Sequence, residues 1–292
     1  MIRPLASLAL GAAFAAVAVS AAPRVAAPAA TPFRVGAVEV VSLRDAKNVV
    51  ANDGQTFGIG HPTADVAAVL RARGAPADPI TLGVDQLLVR LPGRVVLIDS
   101  GFGAKMNGVL VRSLAAAGVT PDQVTDVLIT HGHPDHVGGL VDANGKPAFP
   151  RATMRMSAPE WQSLQQGRAA AVAPVIKAQV KTFAPGAQVM PGITAVALPG
   201  HTPGHSGYRI SSGKQSLLVI GDTAHSAIVS LAEPAWRIQY DGDKQQGART
   251  RERELAQLAA THQRIFAGHF PYPGIGYVVR SGAGYAFQPE QR

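Results

Sequence analysis

The chain has 292 residues, 47% of them apolar and none of them cysteine, with a formal net charge of +8. Without cysteine it forms no disulfide, thiolate metal site or thiol nucleophile. Its 27 Lys and Arg are scattered, with no basic run interleaved with aromatics, so the charge serves solubility and argues against a nucleic-acid partner.

Arg3 precedes an apolar stretch from Leu5 to Val19, and Val19-Ser20-Ala21 supplies small residues for cleavage. Residues 1–21 therefore read as an export signal, too short and Ala-rich for a membrane span. This puts the mature protein in the periplasm or the medium, without stable membrane association. Residues 22–33, rich in Pro and Ala, read as a flexible tether, and residues 34–292 as a single domain.

Within the domain, Val35 to Val41 alternates as a strand, and Asn48 to Gly60 reads as a loop at the mouth of a site. Thr63 to Arg73 is a helix stopped by Gly74. Ile80 to Leu91 and Val95 to Ile98 are strands joined by Pro92-Gly93-Arg94. Met106 to Ala117 is a helix, Val127 to Thr130 a buried strand, and Ala152 to Ser157 another strand. Ala158 to Gln166 and Ala169 to Val180 read as helices. Strands follow at Ile193 to Leu198, Tyr208 to Ser211, Leu217 to Ile220 and Ile265 to Ala267. Before the last lies an amphipathic helix, Arg249 to His262, whose mixed-sign start from Arg249 to Glu254 looks like a solvated face. Strands and helices alternating in each half imply a layered α/β arrangement.

Three imidazoles and a carboxylate fall within six residues, His131-Gly132-His133-Pro134-Asp135-His136, directly after a buried strand. Imidazole and carboxylate suit zinc or a similar first-row ion. Four such groups, joined by ligands from elsewhere, exceed the needs of one tetrahedral ion. The spacing suggests two metals side by side, His131 and His133 turned to one, Asp135 and His136 to the other. Three further strands end in Gly200-His201, Gly221-Asp222 and Gly268-His269. A Gly before the ligand lets the backbone turn closely or adopt positive φ.

This ordered set, His131-x-His133-x-Asp135-His136, then His201, Asp222 and His269, with Asp99 in Leu97-Ile98-Asp99-Ser100-Gly101, resembles the metallo-β-lactamase-fold hydrolases. Thr130 to Leu140, Gly200 to His205 and Pro271 to Gly276 resemble methyl parathion hydrolase and the related quorum-quenching lactonases more narrowly. The resemblance implies a four-layer αββα sandwich with a dinuclear site. It puts His131, His133 and His201 on one divalent ion and Asp135, His136 and His269 on the other, with Asp222 bridging. It also implies substrates among lactones, aryl esters and phosphotriesters. The quorum-quenching lactonases carry Tyr three residues after the bridging Asp, where this chain has His225.

Two ions, with zinc foremost, would let a bridging hydroxide attack the substrate at neutral pH. Asp222 would relay its proton to the leaving group, and His225 would donate a hydrogen bond to the carbonyl. Asp99 either orients a ligand imidazole or caps its own turn. His205 reads as structural, His61 as a loop residue and His262 as a helix C-terminal cation. Phe57, Trp236 and Phe270 are candidates for an apolar pocket. Trp161 and Phe183 stand out in a segment, Gly145 to Pro185, that is short beside methyl parathion hydrolase. The competing functions are a β-lactamase, a nuclease on the same fold and a non-catalytic metal-binding protein. A homodimer is an assembly left open.

Overall fold

The computed structural model describes residues 26–291. The export-signal reading and the first part of the tether thus lie outside the described residues.

Strands that are apolar on both faces need cover on both sides, and this chain supplies it with two stacked sheets. The first sheet runs in sequence order: β1 (Ala30–Val35), β2 (Val38–Val50), β3 (Ile80–Leu91), β4 (Arg94–Ile98), β5 (Asp126–Leu128), β6 (Thr153–Ser157) and β7 (Val180–Phe183). The pairs from β1 to β4 are antiparallel and those from β4 to β7 parallel. The second sheet holds β8 (Gln188–Met190), β9 (Ile193–Ala197), β10 (Ser206–Ser212), β11 (Gln215–Val219), β12 (Ile265–Phe266), β13 (Ile275–Ser281) and β14 (Gly284–Pro289). Its β11–β12 pair is parallel and the others antiparallel.

The period of two sorts the side chains between cores. Leu87, Val89, Val96, Ile98 and Leu128 meet Ile193, Tyr208, Ile210 and Val219 between the sheets. Their neighbours Leu88, Leu97 and Val127 point outward. There they pack under α2 (Leu110–Ala116), α3 (Pro134–Val137), α4 (Ala158–Leu164) and α5 (Ala173–Ile176). On the far side Leu218 and Ile265 pack under α6 (Val229–Ala232) and α7 (Lys244–Thr261). A smaller core holds α1 (Thr63–Ala72) against Ile80 and Leu82 of β3. The result is the helix–sheet–sheet–helix order that the family resemblance implies. Among the described residues no helix is long and apolar enough to cross a membrane.

Four local expectations are corrected. Ala30 to Phe33, read as tether, pair with Val40 to Leu43, so the folded domain begins before residue 34. Pro32 is tolerated because β1 is an edge strand. β2 continues to Val50, inside the stretch read as loop. The helix expected from Met106 starts only at Leu110, because Asn107 takes a left-handed φ of 62° and Asp45 receives the amides of Phe102 and Leu110. The helix expected over residues 169–180 is a short α5 between 3-10 turns, and its last residue, Val180, already belongs to β7. The β13–β14 hairpin had no counterpart in the predicted elements.

Candidate metal centre

The ends of four strands deliver the expected side chains to one place. β5 leads through Ile129 and Thr130 to His131 and His133, and Pro134 then opens α3 so that Asp135 and His136 sit in its first turn. β9 leads to His201, β11 to Asp222 and β12 to His269. Two glycines are required by the geometry. Gly221 has φ of 50°, and a Cβ there would collide with the His205 ring. A Cβ at Gly268 would lie 2.7 Å from the Asp85 carbonyl oxygen.

His131, His133, His201 and Asp222 bring one ligand atom each to within 4.8 Å of the others, as do Asp135, His136 and His269. Asp222 lies between the two sets. Its Oδ1 is 3.3 Å from His136 Nε2, and its Oδ2 is 3.3 Å from His201 Nε2 and 3.2 Å from His269 Nε2. Asp222, His225 and His269 form a third such grouping. His225 Nε2 is 3.0 Å from Asp222 Oδ2, and its Nδ1 is buried without a partner.

The outward-facing ring nitrogens are tied down. His131 Nδ1 donates to Thr130 Oγ1 at 3.0 Å, and that hydroxyl donates to Asp99 Oδ2 at 2.8 Å. His201 Nδ1 donates to Asp241 Oδ1 at 3.1 Å, and His269 Nδ1 to the Gly83 carbonyl at 2.7 Å. Of the two roles expected of Asp99 the structure shows the first: Oδ2 accepts from His136 Nδ1 at 2.9 Å, while Oδ1, instead of capping its own turn, accepts from the Thr130 amide at 2.8 Å. His205 is structural, as expected. It donates from Nδ1 to the Leu198 carbonyl and accepts the Asp222 amide at Nε2, both at 2.9 Å.

These bonds fix which nitrogens are left as lone pairs. His201 Nε2 faces His131 Nε2 at 3.1 Å and His133 Nδ1 at 2.9 Å. Lone pairs converging at that distance repel unless a cation or a proton lies among them. On the other side His136 Nε2 is buried and makes no well-aligned hydrogen bond, with Asp222 Oδ1 3.3 Å away. An unpaired buried nitrogen is costly, and a cation would satisfy it. The donor set thus fits two divalent ions.

Electrostatics divides the cluster. Burial holds His131 and His201 well below the usual histidine range and His133 at about 4. Burial also acts against a charge on His136 and His269, but the carboxylates of Asp222 and Asp135 outweigh it. His136 is raised well above the usual range and His269 to about 9. Burial opposes ionisation of Asp222 too, yet the imidazoles around it pull its carboxyl well below the usual range.

The cluster floors a cavity of about 480 Å³ whose walls include Asn48, Phe102, Met106, Arg168, Tyr240 and Lys244. Neither Phe57, Phe270 nor Trp236 lines it. Phe57 and Phe270 are needed in packed cores, and Trp236 stacks on His61 at 4.3 Å. Trp161 and Phe183 likewise pack against the cores of the first sheet. His262, at the C-terminus of α7, stacks on Tyr277 at 4.3 Å.

Three supporting residues escaped the sequence reading. Asp241 precedes α7 and holds His201. Arg251 holds Asp241 in turn, with Nη1 3.2 Å from its Oδ2. It was expected on a solvated face but is 1% exposed, because its other donors reach the carbonyls of Pro234 and Trp236. Glu160, also 1% exposed, accepts from the Gly132 amide, the Gly204 amide and the Thr202 hydroxyl, clamping the two ligand loops together.

Residues 80–269 match the family described as the metallo-beta-lactamase superfamily. The chain is 32% identical over 180 residues to metallo-beta-lactamase domain-containing protein 1 of Xenopus laevis, a match covering 60% of this chain and 66% of that protein. The mouse protein of the same name is 29% identical over 189 residues, covering 63% of this chain and 60% of its own. The chain therefore spans less than two thirds of the length of these relatives. Two solved structures align over 91% of the chain. AidC, a dizinc quorum-quenching lactonase in complex with the product N-hexanoyl-L-homoserine, is 27% identical, with a TM-score of 0.84 over 98% of its length. The hydrolase AbOPH, of the beta lactamase superfamily, is 28% identical, with a TM-score of 0.83 over 99% of its length. With the two-sheet fold, the strand-end His/Asp cluster and a family match over residues 80–269, this chain belongs to the metallo-beta-lactamase superfamily.

Proposed function

We propose that this protein is an exported, zinc-dependent hydrolase of lactones and carboxylic aryl esters, with N-acylated homoserine lactones as its preferred class and phosphotriesters as weaker substrates. The observation that carries this reading is the convergence of two ligand sets on Asp222 at the floor of an open cavity. The likeness to AidC supports the lactone class, and the likeness of the metal loop and the Pro271 to Gly276 tail to methyl parathion hydrolase supports the phosphotriester activity. Reduced aromatic lining explains the ranking, because each ring contact to a nitrophenyl group contributes only about 0.5–1.5 kcal/mol and few rings face the cavity.

His131, His133 and His201 would hold one ion, Asp135, His136 and His269 the other, with Asp222 shared. Bound there, two zinc ions would supply a hydroxide nucleophile at neutral pH and polarise the scissile carbonyl. The protein does the rest. Asp99, Asp241 and the Gly83 carbonyl fix which imidazole nitrogens face inward. His205 fixes the backbone of Asp222. Asp222 Oδ2 is placed to hold the nucleophile's proton and hand it to an alkoxide, a service a phenolate does not need. His225 Nε2, beside that oxygen, is placed to donate to a carbonyl oxygen as charge builds on it.

Purified protein assayed on N-hexanoyl homoserine lactone, phenyl acetate, a nitrophenyl phosphotriester and a β-lactam tests this reading. Highest kcat/KM on the lactone is expected. Preference for the phosphotriester would overturn the ranking, and turnover of the β-lactam alone would overturn the class.

A further inference from the structure

Among the described residues that line the cavity, Tyr240 alone pairs an aromatic ring with a neutral hydroxyl donor. Its ring lies 5.1 Å from that of His225, tilted by 32°, and His225 in turn stacks on His269 at 5.1 Å and 11°. The phenol therefore stands one imidazole away from Asp222, the point where bond cleavage is expected. It also makes an edge-on contact with Phe57 at 6.3 Å.

The backbone that carries Tyr240 is pinned on both flanks. The Gln239 amide donates to the Thr56 carbonyl at 3.0 Å, and the Gly242 and Asp243 amides donate to the carbonyls of His201 and Gly200 at 2.9 and 3.0 Å. Arg251 reaches the carbonyls of Pro234 and Trp236 from beneath. A side chain held this firmly spends little entropy in meeting a ligand. Yet its hydroxyl makes no hydrogen bond among the described residues. Phe102 and Met106, the latter 42% exposed, also line the cavity and offer apolar surface. The lining thus combines apolar surface suited to an alkyl chain with a neutral donor set back from the reacting centre.

We propose that the Tyr240 hydroxyl donates a hydrogen bond to a second acceptor on the substrate, the acylamino carbonyl of an N-acylated lactone. Tyr240 then sets specificity, while the scissile carbonyl is handled at the Asp222 cluster. This rests on the lactonase reading above and names the part of the substrate that Tyr240 reads. A neutral phenol hydroxyl meets an amide carbonyl as an ordinary neutral hydrogen bond, with no charge on either partner to desolvate.

Tyr240→Phe removes the hydroxyl and keeps the ring. Its kcat/KM should be compared with that of the wild type on N-hexanoyl homoserine lactone and on γ-caprolactone, which has no amide. Binding of the ring-opened N-hexanoyl-homoserine should be measured by calorimetry on both proteins, with metal content and Tm as controls. The expected result is a three- to tenfold loss on the acylamino lactone and a similar loss in product affinity, about what one neutral hydrogen bond contributes. Turnover of γ-caprolactone should stay within about twofold, with metal content and Tm unchanged. Equal losses on both lactones, or no loss on either, would overturn the assignment and leave the lactonase reading intact. A wild type that opens neither lactone would overturn the lactonase reading instead. Calorimetry then decides on Tyr240 alone: weaker product binding by Tyr240→Phe supports it, and equal or absent binding by the two proteins overturns it.

Discussion

At one end of the cluster His131, His133 and His201 turn three imidazoles on one point, with Asp222 as the carboxylate of their set; at the other, Asp135 and Asp222 flank His136 and His269. Burial governs the first end and keeps its imidazoles neutral far into acid, His133 down to about 4. Carboxylates overcome burial at the second end, where His269 keeps its proton up to about 9. The same residue type is thus an open lone pair in one set and a protonated cation in the other. A metal entering the first set displaces no proton at neutral pH, whereas a metal entering the second must displace them. The lesson is that ligand count alone does not fix how a site fills; the neighbouring carboxylates decide what else competes for it.

Asp222→Asn should have the largest effect, because it removes the charge that both ends share. A turnover loss on the order of a thousandfold is expected where Asp222 serves as acid and base. Steady-state kinetics should show a greater loss on an alkyl lactone than on phenyl acetate, since only the alkoxide needs a proton to leave. Equal losses on the two substrates would remove Asp222 as the proton carrier.

Asp241→Asn acts on the first end through His201, whereas Asp99→Asn acts directly on the second through His136 and reaches the first only through the Thr130 hydroxyl that holds His131. Each should weaken its own ion about ten- to a hundredfold, through the imidazole it orients, His201 or His136. Competition with a chromogenic chelator resolves the two affinities. If Asp241→Asn weakened the ion bound by Asp135, His136 and His269, the two ends would not be separable.

The smallest effect is on the stability of the metal-free protein. Folding raises the pKa of His136 and His269, so their contribution is fully present below the unfolded value of about 6.5 and is lost as pH rises, for His269 through about 9. Folding lowers the pKa of His131, His133 and His201, so unfolding gains protons there and stability falls as pH drops below about 6.5. Tm of the chelator-stripped protein should therefore peak near pH 6.5. His269→Ala should flatten the alkaline limb and leave the acid limb. A peak insensitive to that change would contradict the assignment of charge to the second end.

The ligand set was legible in the sequence because it is local. His131 to His136 follow a single strand, and the Gly-His and Gly-Asp pairs mark three more strand ends. The layered α/β arrangement was legible in the alternation of strands and helices in each half, while the four-layer sandwich came only from the family resemblance that the ligand set carries. What holds the ligands was not legible. Asp241 meets His201 across 40 residues, and no periodicity reports such a contact. Arg251 lies among Arg249, Glu252 and Arg253, which are exposed, so its own burial was hidden by theirs. Phe57 and Phe270 misled in the opposite direction, since aromatic area is more often spent on cores than on substrate. Tyr240 carried no sequence signal, because its place depends on a loop held by backbone contacts to Thr56, Gly200 and His201, all distant in sequence.

Elemental analysis of protein purified without chelator, with anomalous diffraction at the zinc edge of the same preparation, bears on the dinuclear site itself. Two ions per chain are expected, one among His131, His133 and His201 and one among Asp135, His136 and His269, with Asp222 touching both. A single ion at full occupancy, with Asp135 and His136 uncoordinated, would contradict it.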